Sequence, residues 1–137
     1  MLKLDMKDHK IINVLRENSR LSIRDIAKKT KLRPSTIHIR IKKLIDNCVI
    51  EKFTLKLNDE VIGKNFIVYM LISTDKKITD FSNDVIKEVY GITGEYDLIL
   101  KMKFKGINEF NDFVIKFRDK HKLGKTLTMV ATIKIKD

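Results

Sequence analysis

Three residues, Lys31-Leu32-Arg33, separate two amphipathic runs, and the chain's one proline, Pro34, closes the gap. A connection this short admits only a tight turn. Proline suits the first position of the following helix, where its missing N–H would be unpaired anyway. Upstream, Ser22 with Asp25 three residues later makes a Ser-x-x-Asp cap, and Leu21 with Ile26 occupies the flanking staple positions. That helix runs to about Thr30, and the small Ala27 lets another helix approach. A short helix, a tight turn and a longer helix form the helix-turn-helix pattern. An earlier helix starts at Asp5 as N-cap with Asp8 at N3, shows Ile11, Ile12 and Leu15 on one face, and ends at Asn18-Ser19.

On a wheel of about 100° per residue, Ile37, Ile41 and Leu44 of the third helix fall within about 60° of one another and face a core. Ile39 lies about 200° from Ile37, among Ser35, Thr36, Lys42 and Lys43, with His38 and Arg40 on the flanks. In helix-turn-helix proteins this outer face enters the major groove while the preceding helix crosses the backbone. There an isoleucine can rest on the C5-methyl of thymine; the alternative is a lone exposed apolar residue of the ordinary kind.

Charge points the same way. Net charge is +11, with 16 Lys/Arg against 8 Asp/Glu in residues 1–64 and 13 against 10 in residues 65–137. Between Arg20 and Lys43 nine basic residues stand against one acid, Asp25, a density that favours nucleic acid or an anionic surface over a merely solvated face. The expected base-contacting residues are Ser35, Thr36, Ile39 and Lys43. The expected phosphate contacts are Arg20, Arg24, Lys28, Lys29, Arg33, Arg40 and Lys42.

Val49 to Leu57 alternates at a period of two and reads as a ribbon or linker strand, and the stretch around Gly63 reads as a boundary. The expected division is a helix-turn-helix domain over 1–50, a β linker over 51–64 and a second domain over 65–137. In that domain Phe66–Ser73 is a strand apolar on both faces. Residues 78–89 (Ile78, Phe81, Val85, Ile86, Val89) and 107–119 (Phe110, Phe113, Val114, Phe117) have helical spacing, 90–93 and 96–105 are β-like, and 126–136 alternates. The order β-α-β-β-α-β is the ferredoxin-like plan, with both helices on one face of an antiparallel sheet. Its other face, with Ile67, Tyr69 and Leu71, needs a cover. A second copy in a two-fold dimer supplies one and also spaces two recognition helices about one DNA turn apart; the alternative is the linker or the first domain folding over the sheet.

Cys48 is the one cysteine, so no internal disulfide forms, and no Cys/His cluster has zinc spacing. The longest apolar run, Phe66–Ile72, is far short of the roughly 20 residues that span a bilayer. No leader-like start is present, which predicts a soluble, cytoplasmic protein without metal, cofactor or membrane partner. His9, His38 and His121 are scattered and form no catalytic arrangement, so no enzyme is expected.

Taken in order, Asp5, Asp8, Ile11, Ile12, Leu15, Asn18 and Arg20, then Ser22, Asp25, Ile26 and Ala27, then Leu32, Thr36, Ile37, Arg40, Ile41 and Leu44, then Val49-Ile50 and Gly94-Glu95-Tyr96-Asp97, resemble the Lrp/AsnC (leucine-responsive, feast/famine) regulators over nearly the whole chain. The resemblance implies an α+β architecture and a transcription regulator that binds double-stranded DNA, dimerises through its sheet, assembles into tetramers or octamers and often takes an amino acid. It implies an effector site near Gly94, Tyr96 and Asp97, where Asp97 could hold an ammonium group and the Gly94 amide a carboxylate; these residues could equally serve the hairpin itself. Three positions depart from the pattern: Lys31 replaces the turn glycine, Arg33 the serine N-cap, and Cys48 the glycine after the third helix, beside an Asn47 able to turn left-handed. An architectural DNA-coating protein with little sequence preference is the alternative function.

Overall fold

The computed structural model describes residues 2–137 and divides into two compact units between Lys56 and Leu57. No helix among the described residues is long and apolar enough to cross a membrane.

In the first unit, α1 (Met6–Glu17) and α2 (Ile23–Thr30) begin where their caps dictate, and α3 (Pro34–Asp46) begins at its proline. Asp5 accepts from the Asp8 N–H at 2.9 Å while Asp8 accepts from the Asp5 N–H at 3.0 Å, a reciprocal box that pairs two otherwise orphaned donors. Ser22 Oγ accepts from the Asp25 N–H at 3.1 Å. Ile11, Ile26, Ile37 and Leu44 are buried at the meeting of the three helices, with Leu21, Ala27 and Ile41 packed around them.

The substituted turn positions take the strained geometry. Lys31 sits at φ 61° as the α2 C-cap, and its N–H still reaches Ala27 O at 2.9 Å. After α3 the left-handed residue is Cys48 itself, at φ 56°, whereas Asn47 stays at φ −96°. The Asn47 side chain donates to Lys43 O at 2.8 Å, which closes the last turn in the right-handed region and moves the reversal one residue on.

In the second unit, β1 (Phe66–Ile72), β2 (Ile86–Gly91), β3 (Leu98–Phe104) and β4 (Thr126–Val130) form an antiparallel sheet of order β2-β3-β1-β4, with α4 (Ile107–His121) on one face. Val68, Met70 and Ile72 alternate with Ile67, Tyr69 and Leu71, and the first set is buried with Leu100, Met102 and Phe104. Phe104 meets Phe110 and Phe113 at ring separations of 5.4 and 5.5 Å, and Phe113 stacks on Phe117 at 5.2 Å.

Three expected elements differ. Residues 78–85 are not helical, and Ile86–Gly91 is strand. A β-bulge between Ile86 and Glu88 explains the misleading period: Ile86 pairs with Met102 and Val89 with Leu100, so two residues three apart both face the core. Ahead of it, Asp80 accepts from the Ser82 N–H at 3.1 Å and Asn83 from the Val85 N–H at 3.0 Å, local turns that compete with a helix. The observed order is therefore βββαβ, with the antiparallel sheet kept and one crossover helix replaced by irregular chain. Second, the linker over 51–64 contains no strand: its alternation finds no strand edge to pair with, and Phe53, Leu55 and Leu57 are exposed. Third, the last strand stops at Val130 rather than Lys136, leaving Ile133 and Ile135 in water.

Candidate nucleic-acid interface

The face of α3 opposite Ile37 and Leu44 is open. Ser35, Ile39 and Lys42, at i, i+4 and i+7, are exposed on it, Ile39 at 65%, while Thr36 and Lys43 are half-buried beside them. Arg33, the N-cap residue, makes no side-chain capping bond and projects from the turn exposed. Arg20, Arg24, Lys28 and Lys29 are exposed as well, and none of these five cations has a side-chain hydrogen bond or ion pair among the described residues. Free donors at the start of one helix and along its neighbour suit a polyanion.

Lys42 and Arg40 are engaged elsewhere. Lys42 pairs with Asp46 at 2.9 Å along the exposed helix surface, a contact of small energetic weight that a phosphate can displace. Arg40, expected on phosphate, instead turns inward, its Nη1 donating to Asp8 Oδ1 at 3.0 Å and also to Asp5 Oδ2. Asp8 is fully buried, and the guanidinium compensates its charge. The same guanidinium holds the Asp5 carboxyl well below the usual carboxylate range, and the two carboxylates push the Arg40 pKa up. Asp5 and Asp8 are read from sequence as caps and Arg40 as a flank residue of α3. Their union, 32 to 35 residues apart in the chain, leaves no local signal. It pins the middle of α3 to the start of α1 and so fixes which face α3 turns outward.

The hairpin residues are also placed. Gly94 turns at φ 116° with open space where a Cβ would stand. Asp97 Oδ2 accepts from the Thr74 N–H at 2.8 Å, its N–H donates to Ile72 O at 2.9 Å, and Tyr96 lies 5.3 Å beneath the Lys125 ammonium, which pairs with Glu95. Among the described residues no group of three or more His, Cys, Asp or Glu could hold a metal ion.

With this geometry in view, the family model of the AsnC-type helix-turn-helix domain matches residues 4–45 and that of the Lrp/AsnC ligand binding domain residues 68–137. The chain belongs to the Lrp/AsnC family. It is 44% identical over 117 residues to an uncharacterized HTH-type transcriptional regulator of Pyrococcus abyssi, covering 81% of this chain and 80% of that protein. A second such regulator, from Pyrococcus furiosus, is 39% identical over 142 residues, covering 99% and 96%. Among solved structures, the Neisseria meningitidis transcriptional regulator NMB0573 in complex with L-Met superposes at TM-score 0.89, with 25% identity and 98% and 94% coverage. LrpC of B. subtilis superposes at 0.85, with 26% identity and 98% and 99% coverage. This Lrp/AsnC protein is thus a transcriptional regulator and not an enzyme, with a DNA-binding helix-turn-helix joined to an antiparallel-sheet domain.

Proposed function

We propose that this regulator binds operator DNA as a dimer or larger assembly, α3 lying in the major groove, and that an amino acid modulates it. Ser35, Thr36, Ile39 and Lys43 meet base edges. Arg20, Arg24, Lys28, Lys29 and Arg33 hold phosphates, with Lys42 joining them once it leaves Asp46. Arg40 orients α3. The observation that carries this reading is the set of free cations beside an outward α3 face that includes a bare isoleucine.

The dimer reading rests on the face of the sheet away from α4. Tyr90, Ile99, Leu71 and Leu127 form one row across the four strands and Tyr69 and Met129 part of the next, with Tyr90, Leu127 and Met129 exposed. An apolar row across all four strands, bordered by the Lys101–Glu88 pair, favours a self-complementary partner. The amino-acid reading draws on the matched ligand-binding domain and on the L-Met bound by the Neisseria relative.

The test is selection of bound sites from random duplex DNA, followed by titration of the winner against salt. A recovered motif and a log K that falls by about 0.9 per neutralised phosphate for each unit of log salt support the reading. Binding of all duplexes alike would move it to DNA coating, and indifference to salt would refute it. Light scattering tests the assembly: the wild type runs as a dimer or larger, and Leu127→Asp dissociates it.

A further inference from the structure

Left-handed backbone is where a side chain is least welcome. Among the described residues other than glycine, Lys31, Cys48 and Lys122 adopt it. Lys31 stands at φ 61° and ψ 24° as the C-cap of α2, inside the turn that leads to α3. A β-carbon there crowds the following carbonyl oxygen, a contact that glycine avoids. The turn is held in this conformation from both sides. The Lys31 N–H donates to Ala27 O at 2.9 Å, and the next N–H, that of Leu32, donates to Thr30 Oγ1 at 3.3 Å. Thr30 is buried and donates in turn to Ile26 O at 2.7 Å, while Leu32 packs on the core of the unit. Backbone and core therefore fix where the Lys31 side chain leaves the turn, at a position that favours glycine.

What the lysine adds lies outside the fold. Lys31 is exposed, and its ammonium has no hydrogen bond or ion pair among the described residues. Lys28 and Lys29 precede it in the last turn of α2 and Arg33 follows it as the N-cap of α3, all exposed and equally free. The nearest acid along the chain, Asp25, already accepts from Ser22 Oγ at 2.8 Å. Lys122 is the counterpart in the sheet unit. It caps α4 at φ 46° with its N–H on Arg118 O at 2.8 Å, and it too is exposed and free. Both lysines meet the negative end of a helix dipole. Their company differs, because Lys120 and Lys125 beside Lys122 are paired with Asp80 and Glu95. Strain alone assigns no role; strain within a run of free cations does.

We infer that Lys31 is a further phosphate contact of the DNA-binding face, kept at a turn that glycine would relax, so that the chain gives up fold stability for affinity at this residue. The ammonium, on a stem of fixed origin, meets the DNA backbone between the contacts of α2 and that of Arg33. The inference rests on the proposed entry of α3 into the major groove and deepens it.

Fluorescence anisotropy over a salt series tests it with the full chain, on a duplex carrying the selected site or, where selection returns no motif, on a random-sequence duplex. Lys31→Met keeps the β-carbon and removes the charge. It should weaken binding roughly threefold to tenfold at about 0.1 M salt and flatten the log–log slope by about 0.9 for each half-site. Lys31→Arg should restore both. Lys31→Gly should lose affinity as Lys31→Met does while raising the melting temperature of the helical unit by about 4–8 °C. Lys122→Gly should raise that of the sheet unit and leave DNA affinity and slope unchanged. Replacing single phosphates by uncharged methylphosphonates should weaken the wild type at a position where Lys31→Met is indifferent. Wild-type affinity and slope in Lys31→Met and Lys31→Gly would overturn the contact while leaving the entry of α3 intact, as would an equal loss from Lys122→Gly. Affinity lost from Lys31→Gly without any gain in melting temperature would overturn the exchange of stability for affinity. A wild type that binds no duplex at low salt would overturn both the contact and the reading beneath it.

Discussion

The two units treat their cations differently. In the helical unit Arg20, Arg24, Lys28, Lys29 and Arg33 reach solvent without a side-chain partner, whereas in the sheet unit Lys64, Lys101, Lys103, Lys120 and Lys125 each meet a carboxylate. Both units are rich in lysine, so residue counts understate the contrast. A paired lysine must give up its carboxylate before it can take a phosphate, while a free one releases only water and counterions. Free lysines occur in the sheet unit too, Lys77, Lys116 and Lys122 among them, so what separates a nucleic-acid face from an ordinary charged surface here is the gathering of free cations along α2 and at the start of α3.

The cores differ as well. Four buried aliphatic residues hold the helical unit, while a larger core of Val68, Met70, Ile72, Leu100 and Met102 with the rings of Phe104 and Phe117 holds the other. Ile26→Ala should cost about 2–5 kcal/mol, enough to unfold so small a core. The expected result is loss of DNA binding and of part of the helical circular dichroism, with the sheet unit still melting cooperatively. Phe104→Ala, at about 3–5 kcal/mol, should do the reverse. If either change melts both halves together, the two units do not fold separately.

Charge removal sharpens the contrast next. Arg24→Ala, Lys28→Ala and Lys29→Ala combined should flatten the salt dependence of DNA affinity by about 0.9 in log–log slope for each phosphate left without its cation. The same treatment of Lys101, Lys103 and Lys120 should leave the slope where it was. Equal effects from the two sets, read by fluorescence anisotropy over a salt series, would erase the distinction drawn between free and paired lysines.

A smaller effect concerns acid. Arg40 depresses the Asp5 pKa in the folded protein, so this group stabilises the helical unit above the ordinary carboxylate range, and that stability fades as pH falls through and below it. Melting temperature of the helical unit should decline from pH 5 to pH 3, and Arg40→Met should start lower at neutral pH and decline less. A parallel decline in both proteins would mean that Arg40 does not set the acid response.

The smallest change is Ile39→Ala. Stability should move by no more than about 0.5 kcal/mol, as for an exposed position. Affinity should drop only for operators with thymine under this residue, and replacing that thymine by uracil should weaken the wild type to the same degree. Uniform loss over all sequences would assign Ile39 a general packing role.

Legibility followed the range of the interactions. Helix starts at Asp5 and Ser22 were readable because a cap is satisfied within three residues, the start at Pro34 because proline suits the first helical position, and the strand Phe66–Ile72 because it is an unbroken apolar run. The segment over 78–89 misled because a bulge shifts the strand by one residue and counterfeits a helical period. A bulge exists only against a partner strand, and that partner, β3, comes later in the chain.

From residues alone came the family, the helix-turn-helix, the basic half and the outward isoleucine, all properties carried by local pattern and by charge counted along the chain. Folding in three dimensions settled which cations stay free, that Arg40 belongs to Asp5 and Asp8, and that Asp97 spends its carboxylate on Thr74. Each of these depends on residues far apart in the chain meeting in space, where distance and burial rather than order in the sequence set the energy.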